Sequence, residues 1–135
     1  MAGYSGTPLL KKLGIQEGFT VYFLGAPSTY AKALGVFPMG VQKAKSLKGP
    51  LDFVHLFSSS RADYEKQLVM AKKALVSNGM IWASWPKKTS KIVTDLTEDH
   101  VRNFALKSGL VDIKVCAVDE TWSGLKLVIP VKDRK

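Results

Sequence analysis

The sequence predicts an α/β fold, a three-layer sandwich whose mostly parallel sheet ends in an antiparallel strand pair. Three observations carry that expectation. Leu51 to Lys91 reads as a strand, a crossover helix and a second strand. Phe19 to Leu24 reads as an earlier strand that runs directly into Gly25-Ala26-Pro27. Val111 to Val118 has strand periodicity and is followed, after a short loop, by the apolar strand Leu125 to Ile129.

In chain order, Thr7-Pro8 is the pattern of a helix cap followed by proline at the first helical position, and Leu9 to Leu13 supplies a short entry helix with Gly14 as its stop. After a turn at Gln16-Glu17-Gly18, the β-branched and aromatic run Phe19 to Leu24 is the first strand. Ser28 or Thr29 then caps a brief helix, Tyr30 to Leu34. Phe37-Pro38-Met39-Gly40 interrupts regular structure, and Val41 to Lys45 alternates as a short edge strand facing solvent. That leaves little room for the second crossover of a full dinucleotide-binding half.

Leu51 to Phe57 is almost unbroken in its apolar character, as befits a strand covered on both faces. Ser58-Ser59-Ser60 offers hydroxyls to the orphan N–H groups of a following helix. From Arg61 to Ser77 the residues Tyr64, Leu68, Ala71 and Leu75 recur at helical spacing, and Asn78-Gly79 is the expected stop. Met80 to Trp85 is the next strand, closed by Pro86, and the strand-helix-strand order implies a right-handed parallel crossover. Asp95-Leu96-Thr97-Glu98 fits a capping box opening a helix with Val101, Phe104, Ala105 and Ser108 inward and Gly109 at its end. The last two strands, joined through Asp119 to Gly124, pair antiparallel, and Pro130 to Lys135 is a charged tail.

Composition bounds the rest. A length of 135 residues suggests one domain, and 46% apolar residues with three Trp and six Phe suffice for a packed core. No window reaches the roughly 18 apolar residues of a membrane span, and Met1 to Thr7 lacks the apolar region of a secretory signal. Cys116 is the lone cysteine, which excludes an internal disulfide and fits a reducing cytoplasm. Formal charge is +9, and residues 1 to 50 carry six Lys against the single acid Glu17. Acidic partners fit that excess, and so does plain solubility.

The order of elements resembles a class I methyltransferase-like Rossmann fold. Leu9 to Gly25 is similar to its opening, Ala74 to Met80 to its turn into the fifth strand, and the final strand pair to its antiparallel ending. Trp85-Pro86-Lys87-Lys88, Asp95 to Asp99, Gly109 to Asp112, Lys114 to Ala117 and Trp122-Ser123 further resemble a family of small bacterial proteins known as a domain of unknown function. That resemblance implies a fold and a bacterial, cytoplasmic setting, and no activity. A methyltransferase of the class would carry two or three glycines after its first strand and an acid after its second. This chain has Gly25-Ala26-Pro27-Ser28-Thr29 and then Lys43, Lys45 and Lys48 at those places. S-adenosylmethionine and dinucleotides are therefore not expected, and no cofactor is assigned.

In open α/β sheets ligands bind beyond the carboxyl ends of the strands. Here those ends are Gly25 to Thr29, Ser58 to Arg61 and Trp85 to Lys91. Gly25, Ser28, Thr29, Ser60, Arg61, Trp85, Lys87, Lys88 and Ser90 make the candidate site. Helix-start N–H groups, hydroxyls and cations together suit a nucleotide, a phosphate or a nucleic-acid backbone. Taken singly, serines cap helices and lysines sit in water, so the convergence of three loops carries the argument. Trp82 packs in the core, and Trp85, on the opposite face, packs or stacks a ring. His55 reads as a hydrogen-bonded core histidine, His100 as a more exposed one, and Cys116 as a small strand residue. Asp95, Glu98 and Asp99 read as helix-start acids rather than a catalytic pair, and no metal site or catalytic triad stands out. A non-catalytic anion-binding module leads. A small enzyme on a phosphorylated substrate and an interaction domain using the edge strand near Val41 remain as alternatives, and nothing sets the oligomeric state.

Overall fold

The computed structural model describes residues 8–134, so the readings made on Met1 to Thr7, including Thr7 as a cap, lie outside the described residues. Its elements are α1 (Leu9–Leu13), β1 (Thr20–Leu24), α2 (Tyr30–Leu34), β2 (Gln42–Lys43), β3 (Leu51–Phe57), α3 (Arg61–Ala74), β4 (Leu75–Pro86), α4 (Glu98–Lys107), β5 (Val111–Ala117) and β6 (Trp122–Val128). They build one six-stranded sheet in the order β2-β1-β3-β4-β6-β5. The first four of these are parallel neighbours, β6 is antiparallel to β4, and β5 is antiparallel to β6. This is the Rossmann-like sandwich with an antiparallel ending. The chain leaves β1 toward β2 and returns on its other side as β3, so strand order reverses there.

Period-two alternation divides the core into two layers. On one face α1 and α2 cover Val21, Phe53, Phe57, Met80 and Trp82. On the other, α3 and α4 cover Val54, Leu56, Ile81, Trp85, Leu125 and Leu127. Trp82 and Trp85 thus point to opposite faces, as three residues along a strand require. Two buried polar tips tie the layers together. Trp82 Nε1 donates to Leu13 O at 2.9 Å and ties α1 to the sheet, while the Tyr64 hydroxyl donates to Val101 O at 2.7 Å and ties α3 to α4.

Several boundaries differ from the sequence reading. Helix α3 stops at Ala74 rather than Ser77, and Leu75 is already extended (φ −82°, ψ 137°) and paired with Leu51. Asn78-Gly79 therefore lies inside β4 instead of ending a helix. Between Leu75 and Met80 the strand bulges while β3 advances only from Leu51 to Phe53, and Leu75 folds over Gly79. A β-carbon on Gly79 would stand 2.7 Å from Leu75 Cδ1 and 3.0 Å from Asp52 O, so the glycine serves close approach rather than a left-handed turn. Strand β6 begins at Trp122, earlier than the expected Leu125, because Asp119 Oδ1 accepts from the N–H groups of Thr121 (2.8 Å) and Trp122 (2.7 Å) and tightens the hairpin.

Helix α4 is capped by Thr97, whose Oγ1 accepts from His100 N at 3.1 Å, and not by Asp95. Strand β5 is a sheet edge with a register shift between Asp112 and Lys114, which leaves Ile113 (54%) and Val115 (45%) exposed. No helix among the described residues is long and apolar enough to cross a membrane.

Candidate functional site

Among the described residues, two clefts open at the carboxyl ends of the parallel strands. The first, about 460 Å³, lies beyond β1 and β2 and is lined by Phe23, Ser28, Tyr30, Phe37 and Lys43 among others. The second, about 790 Å³, lies beyond β4 and before α4, with Trp85, Lys87, Lys88, Thr97, Glu98 and Ser123 in its wall. No lining residue is shared between them.

The first cleft owes its shape to rings. Phe23 stacks on Phe37 (centroids 6.1 Å apart, planes 7°) and meets Tyr30 edge-on at 5.3 Å. Lys43 ends β2, which pairs with β1, and its Nζ stands 5.8 Å from the centre of the Phe37 ring. Among the described residues it is the sole charged one in the lining, and no acid joins it there. Helix α2 is five residues long, too short to persist without tertiary contacts, and Tyr30 and Leu34 are its buried anchors.

The Tyr30 hydroxyl turns away from solvent to His55 Nδ1 at 2.6 Å, and His55 Nε2 meets Ser84 Oγ at 2.7 Å. All three side chains are buried, so the imidazole is neutral, with one nitrogen donating and the other accepting. Burial pushes the His55 pKa down to about 3, and burial chiefly, helped by Cys116, pushes the Tyr30 phenol far up. His55 is thus the hydrogen-bonded core histidine the sequence suggests. It also fixes the wall of the cleft.

The nine sequence-predicted residues divide between the clefts and the loops around them. Ser28 lines the first cleft, and Trp85, Lys87 and Lys88 line the second. Thr29 precedes α2 without a side-chain cap bond. Gly25 (φ +74°) is adjacent, but its missing side chain serves the sheet, since a β-carbon there would come within 2.7 Å of Phe57 O. Ser60 caps α3 by accepting from Asp63 N at 3.2 Å. Arg61 is engaged twice by Asp95: its N–H donates to the carboxylate at 2.8 Å and its Nε to the Asp95 carbonyl at 2.7 Å. The N–H groups expected to be free at the start of α3 are therefore partly occupied, because the loop before α4 folds back onto it. Ser90 spends its hydroxyl on Lys87 O at 2.7 Å.

Neither cleft is lined by all three loops. The Ser58 to Arg61 loop joins the Trp85 side, where Ser58 N donates to Ser84 O and Thr94 Oγ1 to Ser59 O, while the loop after β1 opens separately. Sequence reasoning missed Phe23, Tyr30, Phe37 and Lys43, which face one another only through the pairing of β2 with β1. A lysine closing a strand beside the first was the available signal. In the second cleft Lys87 and Lys88 are joined by Glu98 and Asp99, and Glu98 already accepts from Arg102 at 2.6 Å. Its charge is mixed. Among the described residues no group of three or more His, Cys, Asp or Glu is placed to hold a metal ion.

The fold is that of known methyltransferases. A precorrin-6y C5,15-methyltransferase from Geobacter metallireducens GS-15 is 13% identical, with a TM-score of 0.62 over 90% of this chain and 85% of that one. A SAM-dependent methyltransferase from Aquifex aeolicus is 14% identical, with a TM-score of 0.59 over 90% and 88%. The magnesium protoporphyrin IX methyltransferase of Synechocystis PCC 6803, solved with bound SAH, is 9% identical, with a TM-score of 0.60 over 90% and 78%. At such identities the likeness concerns the fold alone. No curated protein matches the chain in sequence. Residues 48–131, from the approach to β3 to just past β6, match the family described as "Protein of unknown function (DUF3052)", and the chain belongs to that family.

Proposed function

We propose that the chain is a non-catalytic Rossmann-like module that holds a nucleotide in the cleft beyond β1 and β2. The observation that carries this reading is the single lysine, Lys43, in an otherwise uncharged, aromatic-walled cleft. A base offers a π-face to Phe23, Phe37 or Tyr30, and a phosphate offers charge to the ammonium. The volume, about 460 Å³, falls within the range of small-molecule sites. Chemistry is not served equally well. The Tyr30 phenol, the cleft's most evident acid-base group, is turned inward and held far above its ordinary pKa.

S-adenosylmethionine suits the cleft poorly. Its sulfonium and ammonium are cationic, and Lys43 stands where the resemblance to methyltransferases implies a ribose-binding acid. Gly25 is also occupied in sheet packing rather than left open for ligand approach. The enzyme alternative requires turnover that one substitution removes while binding persists.

Isothermal titration with AMP, ATP, S-adenosylmethionine and single-stranded DNA tests the reading. A mononucleotide binds, Lys43→Glu raises its Kd by about tenfold or more, and Phe37→Ala weakens it by about 1 kcal/mol. Preferential binding of S-adenosylmethionine, or nucleotide binding indifferent to both substitutions, sinks it.

A further inference from the structure

Outside both clefts, the sheet carries a charge arrangement that the fold does not explain. Lys114 of β5 and Lys126 of β6 are directly opposite in the antiparallel register. Like charges so placed repel and cost stability. Lys126 is half-buried, and its Nζ lies 4.0 Å from where a β-carbon on Gly14 would stand, at the end of α1. Lys12 of α1 reaches the same neighbourhood, its Nζ 3.5 Å from Ala117 O. Burial, and then Lys114, lower the pKa of Lys126.

The ion pairs among the described residues gather on His100 and Arg102, and none includes Lys114 or Lys126. Asp112, the acid nearest on β5, is drawn to α4, where Arg102 Nε donates to it at 3.0 Å. Ammonium groups on opposed strands, a few ångströms apart at their Cβ atoms, can grip one phosphate between them.

We propose that Lys114 and Lys126 form a binding site for a compact phosphate anion on the α1 side of the β5–β6 hairpin. The site is independent of the cleft that holds Lys43. It trades folding stability for ligand charge, and that trade gives it a signature a structural lysine pair would lack.

The test is a thermal-shift titration with inorganic pyrophosphate at fixed ionic strength, on the wild type, Lys114→Gln, Lys126→Met, the double variant and Lys43→Glu. Pyrophosphate raises the wild-type Tm, the Lys114 and Lys126 variants lose that rise, and Lys43→Glu keeps it. Without pyrophosphate, Lys114→Gln melts about 1 to 3 °C higher than wild type because the repulsion is gone. A lower Tm for ligand-free Lys114→Gln, or a pyrophosphate response surviving in the double variant, overturns the proposal. Stabilisation by single-stranded DNA with none by pyrophosphate overturns it too, since that describes an extended basic surface.

Discussion

His55 shows how one residue links burial to solution behaviour. In the unfolded chain an imidazole takes up a proton near pH 6.5, whereas in the fold it resists until about pH 3. Below pH 6.5 the unfolded state therefore binds more protons, and stability present at neutral pH is lost as the pH falls toward 3. The slope should approach 1.4 kcal/mol per pH unit, at roughly the value of one fully displaced proton. Urea melts at pH 7.5, 6.5 and 5.5 should show wild type losing more stability on acidification than His55→Gln, which is less stable throughout. Parallel losses in the two proteins would assign the acid sensitivity to other groups. That His55 is buried could be read from its place in an apolar run. Its partners could not, because Tyr30 and Ser84 meet it only once α2 lies against β3 and β3 beside β4.

Among the elements, strands and helices were legible wherever apolar spacing and caps agreed, and their junctions were not. Helical spacing continues through Leu75, and only its pairing with Leu51 turns the chain into a strand. Asp95 lies close in sequence to α4, yet its carboxylate serves the start of α3. Both decisions are tertiary. Helix α3 consequently has one local cap, Ser60, and one from a distant segment, Asp95, and Ser60→Ala should cost about 1 kcal/mol in chemical denaturation. Asp95→Ala should cost a comparable amount, and also loosen the Asp95 loop that borders the second cleft. At the end of β1, Gly25→Ala meets both a left-handed φ and the Phe57 carbonyl, so it should cost about 1 to 3 kcal/mol and lower the thermal midpoint. An unchanged midpoint would mean that β1 and β3 separate easily there.

For the whole molecule, the sheet order predicts how the fold opens. β3 and β4 are interior and flanked on both edges, while β2 pairs over only two residues and β5 is an exposed edge. Native-state hydrogen exchange should release β2 and β5 amides first and those of β3 and β4 last, and equal protection of β5 and β3 would refute this ordering. The parallel sheet and its antiparallel ending were legible because each strand bears its own pattern. The site was only half legible: cations at strand ends can be read from spacing, but which cleft they share depends on sheet order. Lys43 joins Tyr30 through β2, while Lys87 faces the acids of α4.

The Tyr30–His55–Ser84 chain runs inward from the wall of the first cleft, and a neutral imidazole permits it two opposite polarities with the same heavy-atom positions. In one, Tyr30 donates to Nδ1 and Nε2–H donates to Ser84. In the other, Ser84 donates to Nε2 and Nδ1–H points at the Tyr30 oxygen. An anion in the cleft favours the second, which turns the positive end of the chain toward it, so the ¹⁵N shifts of one imidazole should report an occupied cleft from inside the core, without any atom of the backbone having moved.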